Sequence, residues 1–231
     1  MTLNLAVATP LSQELIFAGD EVRLAGQVDY PAVPRSSTRF PLLFILHHAC
    51  GSTRDDYADY AGIGLNSGYA VFRWDKRGTG RSGGGGRGST TQDAVNAYEI
   101  ALEQPHIDRK RAVILALGAG TGLLGSSFGL FARVEHPYAV LLVANMLDEK
   151  EILALDARLH IIAGQDDWNS PELYAEAPAA AHDRAYRYGA SCYVAPHASR
   201  MLLTDDDNLH DGARKAMRSW LKSILQPSTL I

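Results

Sequence analysis

A glycine-rich stretch in the middle of the chain has residue types that serve three different chemistries. The segment VILALGAGTGLLGSSFG (Val113–Gly129) runs from apolar residues into glycines and then into a sequence suited to a helix. Gly120–Gly125 reads G-x-G-x-x-G, the spacing that holds a dinucleotide pyrophosphate at a helix N-terminus. Leu117–Gly122 is similar to loops that bind S-adenosylmethionine. Gly118–Gly122 has the G-x-S-x-G frame of a strained turn that carries a nucleophilic serine, but Gly120 stands where the serine would be.

Two other side chains have the chemistry of a nucleophile. Gly125–Gly129 is a literal G-x-S-x-G with Ser127 at its centre. No buried strand directly precedes it, so we expect Ser127 to lie within the helix that follows the glycine turn. Cys50 is a candidate thiol, and its thiolate would need a base such as His47 or His197. A free cysteine that serves as a small buried apolar residue is the commoner case.

Composition excludes several classes of protein. The 231 residues include 46% hydrophobic and 21% charged residues with a net charge of −4, as in ordinary soluble domains, and this charge argues against a nucleic-acid partner. No apolar run approaches the length of about 20 residues that a membrane span needs, and no secretory signal is recognised at the N-terminus. Two cysteines cannot form a disulfide framework, which favours a cytoplasmic setting. No residue set has metal-ligand spacing, and we expect neither a metal nor a cofactor.

Strand and helix signals alternate along the chain, which predicts an α/β fold with a mostly parallel sheet between helices. We expect one domain spanning residues 1–231. Continuous apolar runs predict buried strands at Leu42–His48, Tyr69–Asp75, Ala112–Leu117, Ala139–Ala144, Leu159–Gly164 and Ser191–Ala195. An antiparallel hairpin is predicted for Glu14–Pro31, and helices for Thr90–Gln104 and Leu209–Leu225.

Three segments resemble the α/β-hydrolase superfamily, in particular serine esterases, S33-like peptidases and dienelactone hydrolases. LLFILHHACGS (Leu42–Ser52) is similar to their oxyanion strand and loop, and RWDKRGTGRSGG (Arg73–Gly84) to their D-x-R-G-x-G-x-S segment. LHIIAGQDDWNSP (Leu159–Pro171) resembles the segment that carries their catalytic acid. The segments occur in family order, and the resemblance extends over nearly the whole chain, from about Glu14 to Leu225. It implies an α/β-hydrolase fold with little or no lid.

The position of the glycine-rich stretch distinguishes its three frames. Dinucleotide and S-adenosylmethionine loops normally follow the first strand of their sheet, whereas at least two buried strands precede this one. An S-adenosylmethionine loop usually has an acidic residue where this chain has Ala116. A dinucleotide site usually has an acidic residue at the end of the next strand, where this chain has Asn145. The nucleophile turn is therefore favoured, and nucleotide or S-adenosylmethionine binding is the least favoured interpretation.

The resemblance implies a role for each matching residue. Gly120 takes the nucleophile position without a side chain, and the N–H of Thr121 is the implied oxyanion donor. His48 or Ala49 would supply a second backbone N–H from the preceding loop. Asp167 takes the position of the acid that orients a catalytic histidine.

Two alignments compete for the position of the catalytic base. One puts Arg200 there and the other His197, and we favour Arg200 because the family histidine sits several residues beyond the last strand. Arginine stays protonated and cannot act as a general base, but it can pair with Asp167. An engineered replacement of serine would also leave glycine at position 120, but Arg200 argues against this because inactivating substitutions seldom change two positions.

Two classes of function stay open at this point. The first is a non-hydrolytic protein of esterase or amidase lineage that binds a small acyl, ester or aromatic ligand. The second is a working enzyme that uses Cys50, Ser127 or a His197–Asp167 pair. The sequence does not define the oligomeric state and allows a homodimer.

Overall fold

The computed structural model describes residues 11–31, 37–48 and 53–226. The strands are β1 (Leu11–Ala18), β2 (Arg23–Tyr30), β3 (Phe40–Leu46), β4 (Ala70–Trp74), β5 (Ile107–Leu117), β6 (Ala139–Val143), β7 (Arg158–Gly164) and β8 (Ala190–Ala195). The α-helices are α1 (Ala58–Asn66), α2 (Thr90–Glu103), α3 (Ala119–Val134), α4 (Ala177–Ala185) and α5 (Asp211–Ser223).

All strands join one eight-stranded sheet in the order β1-β2-β4-β3-β5-β6-β7-β8. The β1–β2 hairpin is antiparallel, as its turn signal predicted, and β2 also pairs antiparallel with β4. Every other pairing is parallel, from β4–β3 across to β7–β8. The prediction of a mostly parallel sheet between helices is confirmed.

Apolar residues fill both faces of the sheet and form two core clusters, one on each side. The central strands are buried on both faces because helices cover them, which explains their continuous apolar runs. Helix α2 shows how the pattern works, since its predicted apolar stripe of Ala94, Ala97, Tyr98, Ala101 and Leu102 is buried in the first cluster. The Ser89 hydroxyl begins this helix by accepting from the N–H groups of Thr91 and Gln92.

The structure differs from the prediction in two segments. Strand β5 begins at Ile107 rather than Ala112, because its polar first residues continue the ladder with β3 across a register shift at Pro41/Leu42. Helix α4 follows a π-helical turn at Glu172–Glu176, and neither element was predicted from the sequence. Only residues 144–157 join β6 to β7, with a 3-10 turn at Glu151–Ala154, so this connection has little room for a lid.

Among the residues described, no helix is both long and apolar enough to cross a membrane.

Candidate functional site

The candidate site lies at the carboxyl edge of the parallel strands, where ligand sites of α/β sheets are found. His48 follows β3, Gly118 follows β5, Asp167 follows β7 and Arg200 follows β8. These residues are far apart in sequence, and the parallel sheet brings them to one edge because parallel strands end on the same side.

The strained residue of the turn between β5 and α3 is Gly118. Its φ of 51° and ψ of −120° lie in a region that L side chains rarely adopt, and its N–H donates to Val143 O at 2.9 Å. The sequence predicted this strain two residues later, at Gly120. Gly120 is instead a buried residue in the first turn of α3, and a Cβ there would lie 2.5 Å from the backbone oxygen of His47. This backbone contact requires a glycine at position 120.

The imidazole of His48 occupies the space over Gly118. A Cβ on Gly118 would lie 2.3 Å from His48 Cδ2 and 2.8 Å from Nε2, well inside contact distance. Two hydrogen bonds fix the His48 backbone: its N–H donates to Tyr57 Oη at 3.0 Å, and its carbonyl accepts from Lys76 Nζ at 2.6 Å. A serine side chain at Gly118 and the His48 ring would therefore compete for the same space.

His48 is half-buried, and its surroundings disfavour its charged form. Burial lowers the pKa of the imidazole, and the positive charges of Arg200 and Lys76 lower it further. The ring is consequently neutral at pH 7, with one nitrogen that donates a hydrogen bond and one that accepts.

Asp167 and Arg200 form an ion pair that is almost completely buried. Arg200 Nη1 lies 2.8 Å from Asp167 Oδ1 and 3.2 Å from Oδ2, and the side chains are 9% and 2% exposed. Arg200 Nη2 also donates to the carbonyl of Ala144 at 3.3 Å. The carboxylate that resembles a catalytic acid is thus bound to a guanidinium, which stays protonated and cannot accept a proton as a general base.

His197 does not contact Asp167. It lies in the exposed loop after β8 with a φ of 51°, and its backbone N–H donates to Gln165 Oε1 at 3.3 Å. The structure therefore brings together Asp167 and Arg200, and it does not contain the His197–Asp167 pair that the enzyme hypothesis invoked.

Trp168 extends the ion pair to the surface. The Arg200 guanidinium lies 4.6 Å from the centre of the indole ring, a cation–π contact, while the Trp168 residue is 81% exposed. Met146 after β6 and Leu173 near the start of α4 are also exposed apolar side chains at this edge of the sheet. None of these three residues was predicted as a site residue from the sequence, although Trp168 stands directly beside Asp167.

The backbone N–H groups expected to form an oxyanion hole are bound elsewhere. Thr121 N–H donates to Gly118 O at 2.9 Å, and the buried Thr121 hydroxyl also bonds that carbonyl. His48 N–H is held by Tyr57, as described above. Ala49 lies outside the described residues. At the start of α3 the earliest N–H groups, those of Ala119 and Gly120, are the ones that a helix leaves without an internal acceptor.

The two candidate nucleophiles differ in what the structure shows. Ser127 lies in the middle of α3, more than two turns after Gly118, as the sequence predicted for its backbone. Cys50 lies outside the described residues, so its role as a nucleophile stays a prediction.

The G-x-G-x-x-G frame does not form a loop. Gly120, Gly122 and Gly125 are all helical residues of α3, whereas a dinucleotide loop needs its first glycine in the turn before the helix. The D-x-R-G-x-G-x-S segment has a structural role: Asp75 accepts from the N–H groups of Arg54 and Arg81, and Ser82 donates to the Asp75 carbonyl.

Comparison with solved structures defines the fold class. A CIB-like hydrolase from Thermoplasma acidophilum superposes with a TM-score of 0.66 at 15% identity, covering 93% of this chain and 100% of its own. The acetyl xylan esterase from Paenibacillus sp. R4 superposes with a TM-score of 0.68 at 14% sequence identity, and the match covers 96% of this chain and 86% of the esterase. An esterase domain from Rhodothermus marinus superposes with a TM-score of 0.64 at 16% sequence identity, and the match covers 92% of this chain and 98% of that domain.

The eight-stranded sheet and these neighbours show that the chain has the α/β-hydrolase fold. No protein-family model and no curated protein sequence matches the chain.

Proposed function

We propose that this protein is a non-hydrolytic member of the esterase lineage that binds a small acyl, ester or aromatic ligand without a covalent intermediate. The observation that carries the proposal is the relationship between His48 and Gly118. The backbone conformation suited to a nucleophile occurs at Gly118, which has no side chain, and the His48 ring fills the space that a nucleophile would need.

The Asp167–Arg200 ion pair supports the same proposal. An acyl-transfer site needs a neutral base that takes the proton of its nucleophile and later releases it. Arginine cannot do this at any working pH, and Asp167 has its charge compensated by Arg200 rather than by a histidine. The Asp167–Arg200 pair instead places buried, charge-compensated polar groups beside the exposed indole of Trp168.

The exposed apolar residues indicate the chemistry of the ligand. Trp168 offers an aromatic face, with Met146 and Leu173 as further apolar contacts at the same edge of the sheet. Ligand sites combine such apolar surface with a few polar groups, which here are the neutral His48 imidazole and the Arg200 guanidinium. An aromatic ester or amide matches this combination because its ring stacks and its carbonyl accepts a hydrogen bond.

Binding and turnover of the same compounds test the proposal. Phenyl acetate, methyl benzoate and benzamide are added to the protein, with binding measured by saturation-transfer NMR and hydrolysis measured by chromatography. We expect binding of at least one aromatic compound without turnover above the buffer rate, and loss of that binding in Trp168→Ala. Trp220→Ala, which removes an indole stacked on His160 elsewhere, is the matched control and keeps the binding. Turnover by the wild type, or binding that survives Trp168→Ala, would overturn the proposal.

A second candidate function is favoured by one specific observation, the neutral imidazole of His48. A half-buried neutral histidine at the strained turn has the protonation state of a general base, so His48 is a candidate base for a reaction without a covalent intermediate. In that case the wild type would turn over a substrate, and His48→Gln would abolish turnover while leaving binding intact.

A further inference from the structure

A cavity lies between the ends of β3 and β4 and the first turn of α2. It has a volume of about 50 Å³, and its apolar walls come from Leu46, Ala94 and Leu123. This space is enough for roughly three to five water-sized groups, which corresponds to a very small organic molecule.

Among the residues described, two buried polar side chains that line this cavity are poorly satisfied. Within this part of the chain the indole Nε1–H of Trp74 has no hydrogen-bond partner, and the His47 ring makes no hydrogen bond of good geometry beyond a contact with the Trp74 backbone, although both residues are more than nine-tenths buried. The two rings contact each other, with centroids 4.6 Å apart. Buried donors without partners are costly, so a ligand that satisfies them gains free energy on binding.

The charged groups around the cavity favour an anion. The charged residues that line it are the cations Lys76 and Arg77 and the carboxylate Asp93, so the lining carries a net charge of +1. Asp93 pairs with Arg77 Nε at 2.6 Å. Burial lowers the pKa of His47 to about 3, with a further contribution from the charge of Lys76. His47 is therefore neutral at pH 7 and offers one N–H donor beside the Trp74 N–H.

We propose that this cavity binds a short-chain monocarboxylate. The carboxylate accepts from Trp74 Nε1–H and His47 N–H next to the Lys76 ammonium, and a tail of one to three carbons packs on Leu46, Ala94 and Leu123. The site is separate from the one at Gly118, because His47 lines this cavity whereas the His48 ring lies over Gly118. Lys76 contacts both, since its Nζ donates to the His48 carbonyl.

The indole N–H signals of the three tryptophans provide the test, because each reports on a different place. The full chain, labelled with ¹⁵N, is titrated with sodium propionate. Sodium chloride at the same ionic strength and neutral propionamide are the comparison compounds. We expect a saturable shift of the Trp74 indole signal with propionate only, while the signals of Trp168 and Trp220 stay in place.

Two variants test the location and the donors. Ala94→Leu fills the cavity and abolishes the propionate shift, whereas Gln92→Leu, which adds the same side chain to the exposed side of α2, retains it. His47→Phe keeps a ring but removes both nitrogens, and we expect a loss in affinity of about tenfold or more.

A Trp74 signal that does not move with propionate in the wild type overturns the proposal, whatever the variants do. An equal shift with propionamide or with chloride overturns the assignment of a carboxylate. Failure here leaves the Gly118 site untouched, because ligand binding there is read from Trp168.

Discussion

The His48 imidazole lies over Gly118 so closely that a Cβ on Gly118 would be 2.3 Å from His48 Cδ2. The two residues come from loops after different strands, β3 and β5, and meet because these strands are adjacent and parallel. In this arrangement the strained backbone of the turn is kept while the space above it is closed by an imidazole.

Gly118→Ala is expected to lower the free energy of unfolding by about 2–4 kcal/mol, because it adds both backbone strain at positive φ and overlap with His48. Urea denaturation measures this change. The matched control is Gly122→Ala, which enters open space on α3 and should be neutral or stabilise by up to about 1 kcal/mol. Equal effects at the two positions would contradict the strained geometry at Gly118.

Removal of the His48 ring should relieve part of that cost. In a double-mutant cycle of Gly118→Ala with His48→Ala, we expect a coupling free energy of about 1–2 kcal/mol, since only the overlap and not the backbone strain is removed. The same urea denaturation provides all four values. Strictly additive effects would contradict the prediction, because they would show that the His48 ring moves aside from the added methyl group without cost.

Asp167→Asn breaks a buried ion pair and leaves the Arg200 guanidinium without its counter-charge. We expect destabilisation by about 3–5 kcal/mol, measured by thermal and urea denaturation. The control is Asp59→Asn in the exposed pair with Arg214, where the N–O distance is 3.7 Å. This control should cost less than about 1 kcal/mol. If Asp167→Asn lowers the free energy of unfolding as little as Asp59→Asn does, the Asp167–Arg200 pair is not buried.

The pH dependence of stability should carry a contribution from His47. Burial lowers the pKa of His47 in the folded protein to about 3, below the 6.5 of an unfolded chain. Below pH 6.5 His47 therefore binds a proton in the unfolded chain but stays neutral in the folded protein. Its contribution to the free energy of unfolding is complete above this pH and is lost progressively as the pH falls below it. At pH 4.5 the loss from His47 is about 2–3 kcal/mol.

His47→Phe tests this contribution by comparing urea denaturation at pH 7 and pH 4.5. The variant should lose less stability on acidification than the wild type, by the amount that His47 contributes. Leu46→Val, a neighbouring buried substitution without a titrating group, should keep the wild-type pH dependence. Burial also lowers the pKa of His160 to about 4. Because both variants keep His160, part of the dependence of stability on pH remains in each of them. Identical pH dependence in wild type and His47→Phe would refute the prediction.

The strands and the order of the motifs were predictable from the sequence because buried parallel strands appear as continuous apolar runs. The position of the strained residue, Gly118, could not be predicted in the same way. The letters ALGAGTG contain two overlapping frames of small residues, Ala116–Gly120 and Gly118–Gly122, and the second resembles the family motif more closely. The choice depends on where β5 ends, and its last residue is Leu117.

The contacts of the site were predictable only in part. An ion pair of Arg200 with Asp167 follows from charge and family order, since both occur at strand ends on the same edge. The His48 ring lies over the turn because of the path of the loop after β3, where the His48 backbone bonds to the Tyr57 and Lys76 side chains, and no sequence spacing indicates this path. The exposure of Trp168 is likewise a property of the folded loop.

The most direct test of the central claim is the intact mass of the wild-type protein after incubation with a fluorophosphonate and, separately, with iodoacetamide under native conditions. If the protein works without a covalent nucleophile, we expect no fluorophosphonate adduct and no selective, stoichiometric alkylation of Cys50, while an active serine esterase treated in parallel is fully modified. A stoichiometric fluorophosphonate adduct on Ser127 or any other serine, or rapid selective alkylation of Cys50, would contradict the account.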